Sequence, residues 1–100
     1  MSFGLTKEQY DYVYENLIIP LTARGAKLWI FGSRANNKQK KYSDLDILIA
    51  PKTVDIEKAV SEIDEIFVEG NFPFKIDLVF QVDLAASYQE SVDKEKIPLK

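Results

Sequence analysis

The feature that most constrains this chain is the stretch WIFGSRANNKQKKYSDLDILIA, in which two short apolar runs flank a polar segment. The first run ends in Gly32-Ser33, and the second begins with Asp44 and Asp46, separated by one leucine. Short apolar runs bounded by turn-forming residues predict buried strands. Carboxylates two residues apart on a strand point to the same face, where a cation relieves their repulsion. Asp44 and Asp46 therefore predict a hard-metal site, best suited to Mg²⁺.

The composition bounds the kind of protein that can carry such a site. One hundred residues, 46% of them hydrophobic, are typical of a single globular domain, here 1–100. No apolar run approaches the roughly 20 residues of a membrane span, so we expect no membrane association. The first residues do not resemble a signal peptide, and we expect a cytoplasmic location. A net charge of −3 argues against stable nucleic-acid binding.

Two residue types are missing, and their absence limits the chemistry. Without cysteine the chain has no disulfides, no thiolate nucleophile and no thiolate zinc site. Without histidine it has no Ser-His-Asp triad and no histidine-ligated metal. A general base must then be a carboxylate, a lysine, a tyrosine or a bound hydroxide.

Hydrophobic periodicity predicts helices alternating with strands. Thr6 and Gln9 predict a capping box for the first helix, which Pro20 must kink or restart before Gly25 ends it. Its predicted buried stripe includes Tyr14 but not Tyr12. The remaining elements are strands 26–31, 44–50 and 74–81, a helix over 53–70 capped by Thr53, and a last helix over 84–95 capped by Asp83.

The predicted order brings a third acid to the same corner. Asp77 lies near the start of the third strand, and the helix over 53–70 makes a crossover that favours a parallel arrangement of the second and third strands. Their starts then lie together, which places Asp77 beside Asp44 and Asp46. For Gly32-Ser33 to reach this corner, the first strand must run antiparallel to the second. The sheet is therefore predicted to be mixed.

Three carboxylates around a divalent cation, facing a small-residue turn, suit the transfer of a nucleotidyl group. The Gly32-Ser33 turn would let phosphate oxygens approach the main chain, with the serine hydroxyl as an added donor. Arg34 could hold a phosphate through two parallel hydrogen bonds. Asp77 is placed to accept a proton from an attacking hydroxyl.

The segments FGSRA, SDLDILIA and KIDLVF together resemble the minimal nucleotidyltransferase (MNT) family of the DNA polymerase beta superfamily. The resemblance covers most of the chain and implies an α/β (α+β) nucleotidyltransferase fold, a small mixed β-sheet with helices mainly on one face. It implies catalytic and metal-binding roles for Asp44, Asp46 and Asp77, and nucleotide binding by Gly32, Ser33 and Arg34. One departure is the segment Asn36–Lys41, where family members often carry an Arg-Gly-containing loop.

The resemblance also implies a function. Stand-alone members resemble antitoxins paired with a HEPN-domain ribonuclease toxin, and some transfer AMP from ATP to a toxin tyrosine. We therefore expect a Mg²⁺-dependent transfer of AMP to a hydroxyl of a partner HEPN toxin, with Tyr12 and the tail Ile97-Pro98-Leu99 as candidate docking residues. Two alternatives are an antitoxin that acts by binding alone and an enzyme that modifies a small molecule.

Simpler structural interpretations exist for each residue. Asp44 could be a turn residue and Asp46 an edge charge that prevents aggregation. Ser33 could be a helix cap and Arg34 a member of a surface ion pair. The lysines at 38, 40 and 41 could form a solvated loop.

Overall fold

A computed structural model describes residues 3–36, 43–70 and 72–99 of the chain. Four helices and four strands make up the described part, with a π-helical turn at Tyr14–Ile18 and 3₁₀ turns at Gly32–Arg34 and Gln81–Asp83. The helices and strands, in chain order, are α1 Lys7–Val13, α2 Ile19–Thr22, β1 Lys27–Phe31, β2 Leu45–Ala50, α3 Val54–Glu69, β3 Ile76–Phe80, α4 Ala86–Glu95 and β4 Ile97–Leu99. Within these ranges no helix has the length and apolar character needed to cross a membrane.

The N-terminal helical segment begins as predicted and is then interrupted. The Thr6 side chain accepts a hydrogen bond from Gln9 N, and the Gln9 side chain accepts one from Thr6 N, which confirms the capping box. Proline lacks a backbone N–H and its ring clashes with the preceding turn, so the chain widens into a π-helical turn before Pro20. Tyr14, the first residue of this turn, is 39% exposed. The prediction that Tyr14 belongs to the buried stripe is therefore wrong.

The sheet has the strand order β3-β2-β1-β4. β1 pairs with β2 in antiparallel orientation, and β2 pairs with β3 in parallel orientation, which confirms the predicted mixed sheet. β4 was not predicted: the tail Ile97–Leu99 pairs antiparallel with β1. One edge of this segment is thus paired with β1, and the docking role of Ile97-Pro98-Leu99 stays a prediction.

The main core lies on one face of the sheet. Leu28 and Ile30 of β1 join Leu45, Ile47 and Ile49 of β2 under apolar side chains from the helices. The helices supply Val13, Leu17, Ile18, Leu21, Ile56, Ala59, Val60, Ile63 and Phe67. The predicted nucleotidyltransferase architecture, a small mixed sheet with helices mainly on one face, is confirmed.

Two further expectations about side chains are wrong. Tyr12 is half-buried rather than exposed, because its ring lies 5.2 Å from Phe67 and 5.8 Å from Phe72, and its docking role stays a prediction. Asp83 does not cap the last helix, since it lies in the 3₁₀ turn and its carboxylate accepts a hydrogen bond from Lys52 Nζ at 2.8 Å. α4 starts after Ala85, which makes no side-chain capping bond.

Candidate active site

The glycine-serine turn is built directly against one of the predicted acids. Gly32 follows β1 with φ of +77°, a left-handed conformation that glycine adopts without a Cβ penalty. A Cβ added to Gly32 would overlap Asp46 Oδ2. The main chain of the turn therefore lies so close to the carboxylate that a side chain does not fit, which explains why glycine is needed here. Ser33 is half-buried in this turn, where no side-chain capping bond is made.

The register of the sheet brings two of the acids together. Phe31, the last residue of β1, pairs with Asp46 of β2, and Asp46 pairs with Asp77 of β3. The end of β1 and the starts of β2 and β3 therefore meet at one corner. Asp44 lies just before β2, exposed, and two residues from Asp46, so it shares the face of Asp46.

The electrostatics of the corner reflect this crowding. Burial, first, and then the neighbouring Asp77 and Asp44 carboxylates together raise the pKa of Asp46 to about 6. The protonated Asp46 carboxyl is within hydrogen-bonding range of Asp77. Two carboxylates this close share a proton or a cation, because both cannot be ionised without cost.

The Lys75 ammonium lies beside the acids, and the sequence analysis did not include this lysine among the site residues. Its Nζ lies 3.3 Å from Asp77 Oδ1, and the Asp77, Asp44 and Asp46 carboxylates all raise the pKa of this lysine. The sequence could have indicated this role, because Lys75 and Asp77 are two residues apart on a predicted strand and their side chains therefore share one face. The ammonium partly neutralises the acidic corner.

The donor set fits a divalent cation, although the side chains are not arranged around one. Within the described ranges, no group of three or more acidic side chains has the geometry of a metal site. Carboxylate oxygens are nevertheless the ligands that Mg²⁺ prefers. After burial, the Asp77 and Asp44 carboxylates also raise the pKa of Asp46, and a bound cation would relieve that repulsion. Asp44 would have to turn toward Asp46 and Asp77 to complete the set.

Comparison with known proteins assigns this arrangement to a family. The chain matches the family described as "Polymerase beta, Nucleotidyltransferase" over residues 22–100, which include the glycine-serine turn and all three acids. The chain belongs to the polymerase beta nucleotidyltransferase family. Its similarity to a minimal member places it among the minimal nucleotidyltransferases.

Individual relatives agree with this family assignment. A protein of Haemophilus influenzae named as a probable protein adenylyltransferase, MntA, is 35% identical over 68 residues, which is 67% of this chain. The match spans 59% of that relative's length. A solved structure described as a minimal nucleotidyltransferase has a TM-score of 0.67 and 28% identity, covering 99% of this chain and 97% of its own. A crystal structure of a toxin-antitoxin with AMP-PNP has a TM-score of 0.61 and 25% identity, covering 86% and 72%.

Arg34, which follows the glycine-serine turn, is directed to the protein interior. Only 2% of the residue is exposed. Its Nε and Nη2 donate to Ser43 O at 3.0 and 2.8 Å, and Nη1 donates to Phe3 O at 3.0 Å. The guanidinium also stacks on the Phe74 ring, 4.2 Å from the centroid. Burial lowers the pKa of Arg34, and Asp44 opposes that shift.

These contacts favour a structural role for Arg34 over the phosphate grip that the sequence suggested. The side chain ties the N-terminal segment and the start of the Ser43–Asp44 segment to the glycine-serine turn. Its partners, Phe3 and Ser43, are 31 and 9 residues away in sequence, so local patterns could not reveal them. The lysines at 38, 40 and 41, and with them the predicted alternatives for that loop, lie outside the described residues.

Proposed function

We propose that this chain transfers AMP from ATP to a hydroxyl group on a partner protein. The proposal rests on one observation: Asp46 of β2 and Asp77 of β3 are cross-strand partners, and the Gly32 turn lies beside them. A paired carboxylate site next to a half-buried glycine-serine turn suits a reaction in which a triphosphate is held and one of its bonds is exchanged.

The proposed reaction balances as a nucleotidyl transfer. The acceptor oxygen attacks the α-phosphorus of ATP and forms a new P–O bond, while the bond between the α- and β-phosphates breaks and pyrophosphate leaves. The hydroxyl proton passes to a carboxylate, for which we propose Asp77, whose side chain is 38% exposed. The main chain at Gly32 and the Ser33 hydroxyl would bind phosphate oxygens.

We further propose that Mg²⁺ is held by Asp44, Asp46 and Asp77. When bound, the ion neutralises charge on the triphosphate and on the acids themselves. The chain's own contribution is to place the acids at one corner, to bring the turn against Asp46, and to supply Lys75 as a nearby cation.

The proposed partner is a toxin. Support comes from the similarity to a relative named as a protein adenylyltransferase and to a toxin-antitoxin structure solved with AMP-PNP. The family resemblance adds the finer proposal of a HEPN-domain toxin modified on a tyrosine, with this chain as the antitoxin. Because the reaction consumes ATP, we place it in the cytoplasm.

Two measurements test the proposal in sequence. Calorimetric titration should show ATP binding in Mg²⁺ or Mn²⁺ and little binding in EDTA, because uncompensated carboxylates repel the triphosphate. ATP labelled at the α-phosphate should then transfer its label to a co-encoded helical partner, whereas label at the γ-phosphate should not. Transfer of the γ-label, or ATP binding that ignores the metal, would contradict this function.

A further inference from the structure

The outer edge of β3 lacks a strand partner in the part of the chain that the structure describes. β3 ends the strand order, and β2 occupies its inner side. The opposite edge strand, β4, is three residues long and contains Pro98, which protects it from further pairing. β3 has five residues and no proline. An extended peptide can therefore add to this edge through main-chain hydrogen bonds.

A groove runs along this open edge, between β3 and α3. It has a volume of about 410 Å³ and is lined by alternating residues of β3, among them Ile76, Leu78 and Phe80. A second cavity of about 380 Å³ continues past Lys75 toward Phe72 and Phe74, and both cavities share Asp64, Lys75 and Ile76. The open edge thus offers apolar side chains at alternate positions of β3, between polar groups, and these can contact alternate side chains of an added strand.

The charges on the groove walls are unbalanced. Glu57 and Asp64 of α3 and Asp77 of β3 line the groove together with Lys75. Lys75 pairs with Asp77 at 3.3 Å and Lys52 pairs with Glu57 at 3.8 Å, which leaves the charge of Asp64 uncompensated. Asp64 is exposed and makes no ion pair with any residue that the structure describes. The surplus of negative charge complements a segment that carries lysine or arginine.

The groove is continuous with the candidate active site, since Asp77 belongs to both. We propose that the β3 edge and this groove bind an extended, basic segment of the acceptor protein and deliver its hydroxyl-bearing residue to Asp77. This inference rests on the proposed function for the delivery step, but the binding of the segment can be measured without catalysis.

The test uses the whole chain carrying Asp46→Asn, so that binding is measured without turnover. The probes are two synthetic nine-residue peptides with one central tyrosine, one alternating lysine with valine and the other alternating glutamate with valine. Fluorescence anisotropy should show tighter binding of the lysine peptide. Hydrogen exchange should show new protection of β3 amides when that peptide is bound.

A matched pair of charge reversals locates the binding. Asp64→Lys, in the groove, should weaken the lysine peptide by roughly three- to tenfold. Glu65→Lys, on the next exposed position of α3, makes the same change of net charge outside the groove and should have little effect. Equal effects of the two variants, or protection of β4 instead of β3, would overturn the inference.

The two proposals fail separately. If AMP transfer to a partner occurs but Asp64→Lys and Glu65→Lys reduce it equally, the groove is not the docking site and the proposed function stands. If the lysine peptide protects β3 but no label is ever transferred, the docking site stands and the proposed function fails.

Discussion

Asp46 and Asp77 lie directly opposite one another on the parallel strands β2 and β3, with their carboxyl groups within hydrogen-bonding range. Such a pair stores electrostatic repulsion in the folded chain, because ionising one carboxylate makes it harder to ionise the other. The repulsion is released by a proton, by the Lys75 ammonium or by a metal ion. This relationship determines how the protein should respond to pH and to substitution.

Asp46→Asn should stabilise the metal-free protein at high pH. The pKa of Asp46 in the folded chain, about 6, lies above its ordinary value of 3.8, so the folded state holds this proton more tightly than the unfolded state. The stabilisation that protonated Asp46 provides is therefore fully present below about pH 3.8 and is lost as the pH rises through about 6. The full penalty is at most about 3 kcal/mol, and solvent screening at this half-buried site reduces it to about 1–2 kcal/mol.

Urea unfolding in EDTA at pH 4 and pH 8 measures this effect. The free energy of unfolding of Asp46→Asn should exceed that of the parent at pH 8 and match it at pH 4. A substitution that destabilises the protein equally at both pH values would indicate that Asp46 has a purely structural role.

Gly32→Ala should abolish nucleotide binding, and Gly25→Ala should not. Both glycines have positive φ, +77° and +84°, so an alanine costs about 1–2 kcal/mol of backbone strain at either position. Only at position 32 would the new methyl group also collide with Asp46, since no atom lies within 4 Å of a Cβ at position 25. Thermal melting should show a loss for both variants, larger for Gly32→Ala because of the added collision, and ATP titration of the folded proteins in Mg²⁺ should separate them. If the two variants bound ATP equally well, the close approach of the Gly32 main chain to Asp46 would have no role in nucleotide binding.

The relation between sequence and structure differs from one part of the site to another. Period-two alternation and the helical crossover were enough to predict that Asp77 lies beside Asp46, because strand geometry dictates both. The three-residue strand β4 was missed, since a short run containing Pro98 has weak strand character. The contacts of Arg34 with Phe3 and of Tyr12 with Phe72 could not be predicted, because these partners are distant in sequence.

Arg34→Ala should destabilise the fold far more than Arg24→Ala. The first change leaves the Phe3 and Ser43 carbonyls without their donors and empties the space over Phe74, at a cost of about 2–4 kcal/mol. Arg24 is a half-exposed arginine that makes a 3.6 Å ion pair with Asp55, and its loss should cost less than about 1 kcal/mol. Thermal melting compares the two.

The conservative change Arg34→Lys addresses the phosphate role directly. A lysine here keeps the charge but cannot donate to both carbonyls, so we expect a lower melting temperature with ATP affinity largely retained in the folded protein. If Arg34→Lys lost ATP affinity without losing stability, Arg34 would bind phosphate as the sequence suggested.

Asp77→Asn should lower turnover far more than it lowers ATP affinity. Removing a general base costs about 10²- to 10⁴-fold in rate, while Asp44 and Asp46 remain as carboxylates for the metal. Single-turnover rates and ATP titrations on the same variant separate the two quantities. A collapse of ATP affinity before any change in rate would make Asp77 mainly a metal ligand.

The central claim is that this chain uses Asp44, Asp46 and Asp77 to transfer AMP to a partner protein. Intact-mass spectrometry of the chain co-expressed with its partner tests this claim most directly. With ATP present, the partner should carry added AMP units, and tandem spectra should place them on a hydroxyl-bearing side chain, most simply a tyrosine. In the Asp44→Asn/Asp46→Asn double variant the added mass should vanish while the two proteins still co-purify. A double variant that neutralises its partner fully, with no adduct on the partner in either preparation, would contradict the claim and establish an antitoxin that acts by binding alone.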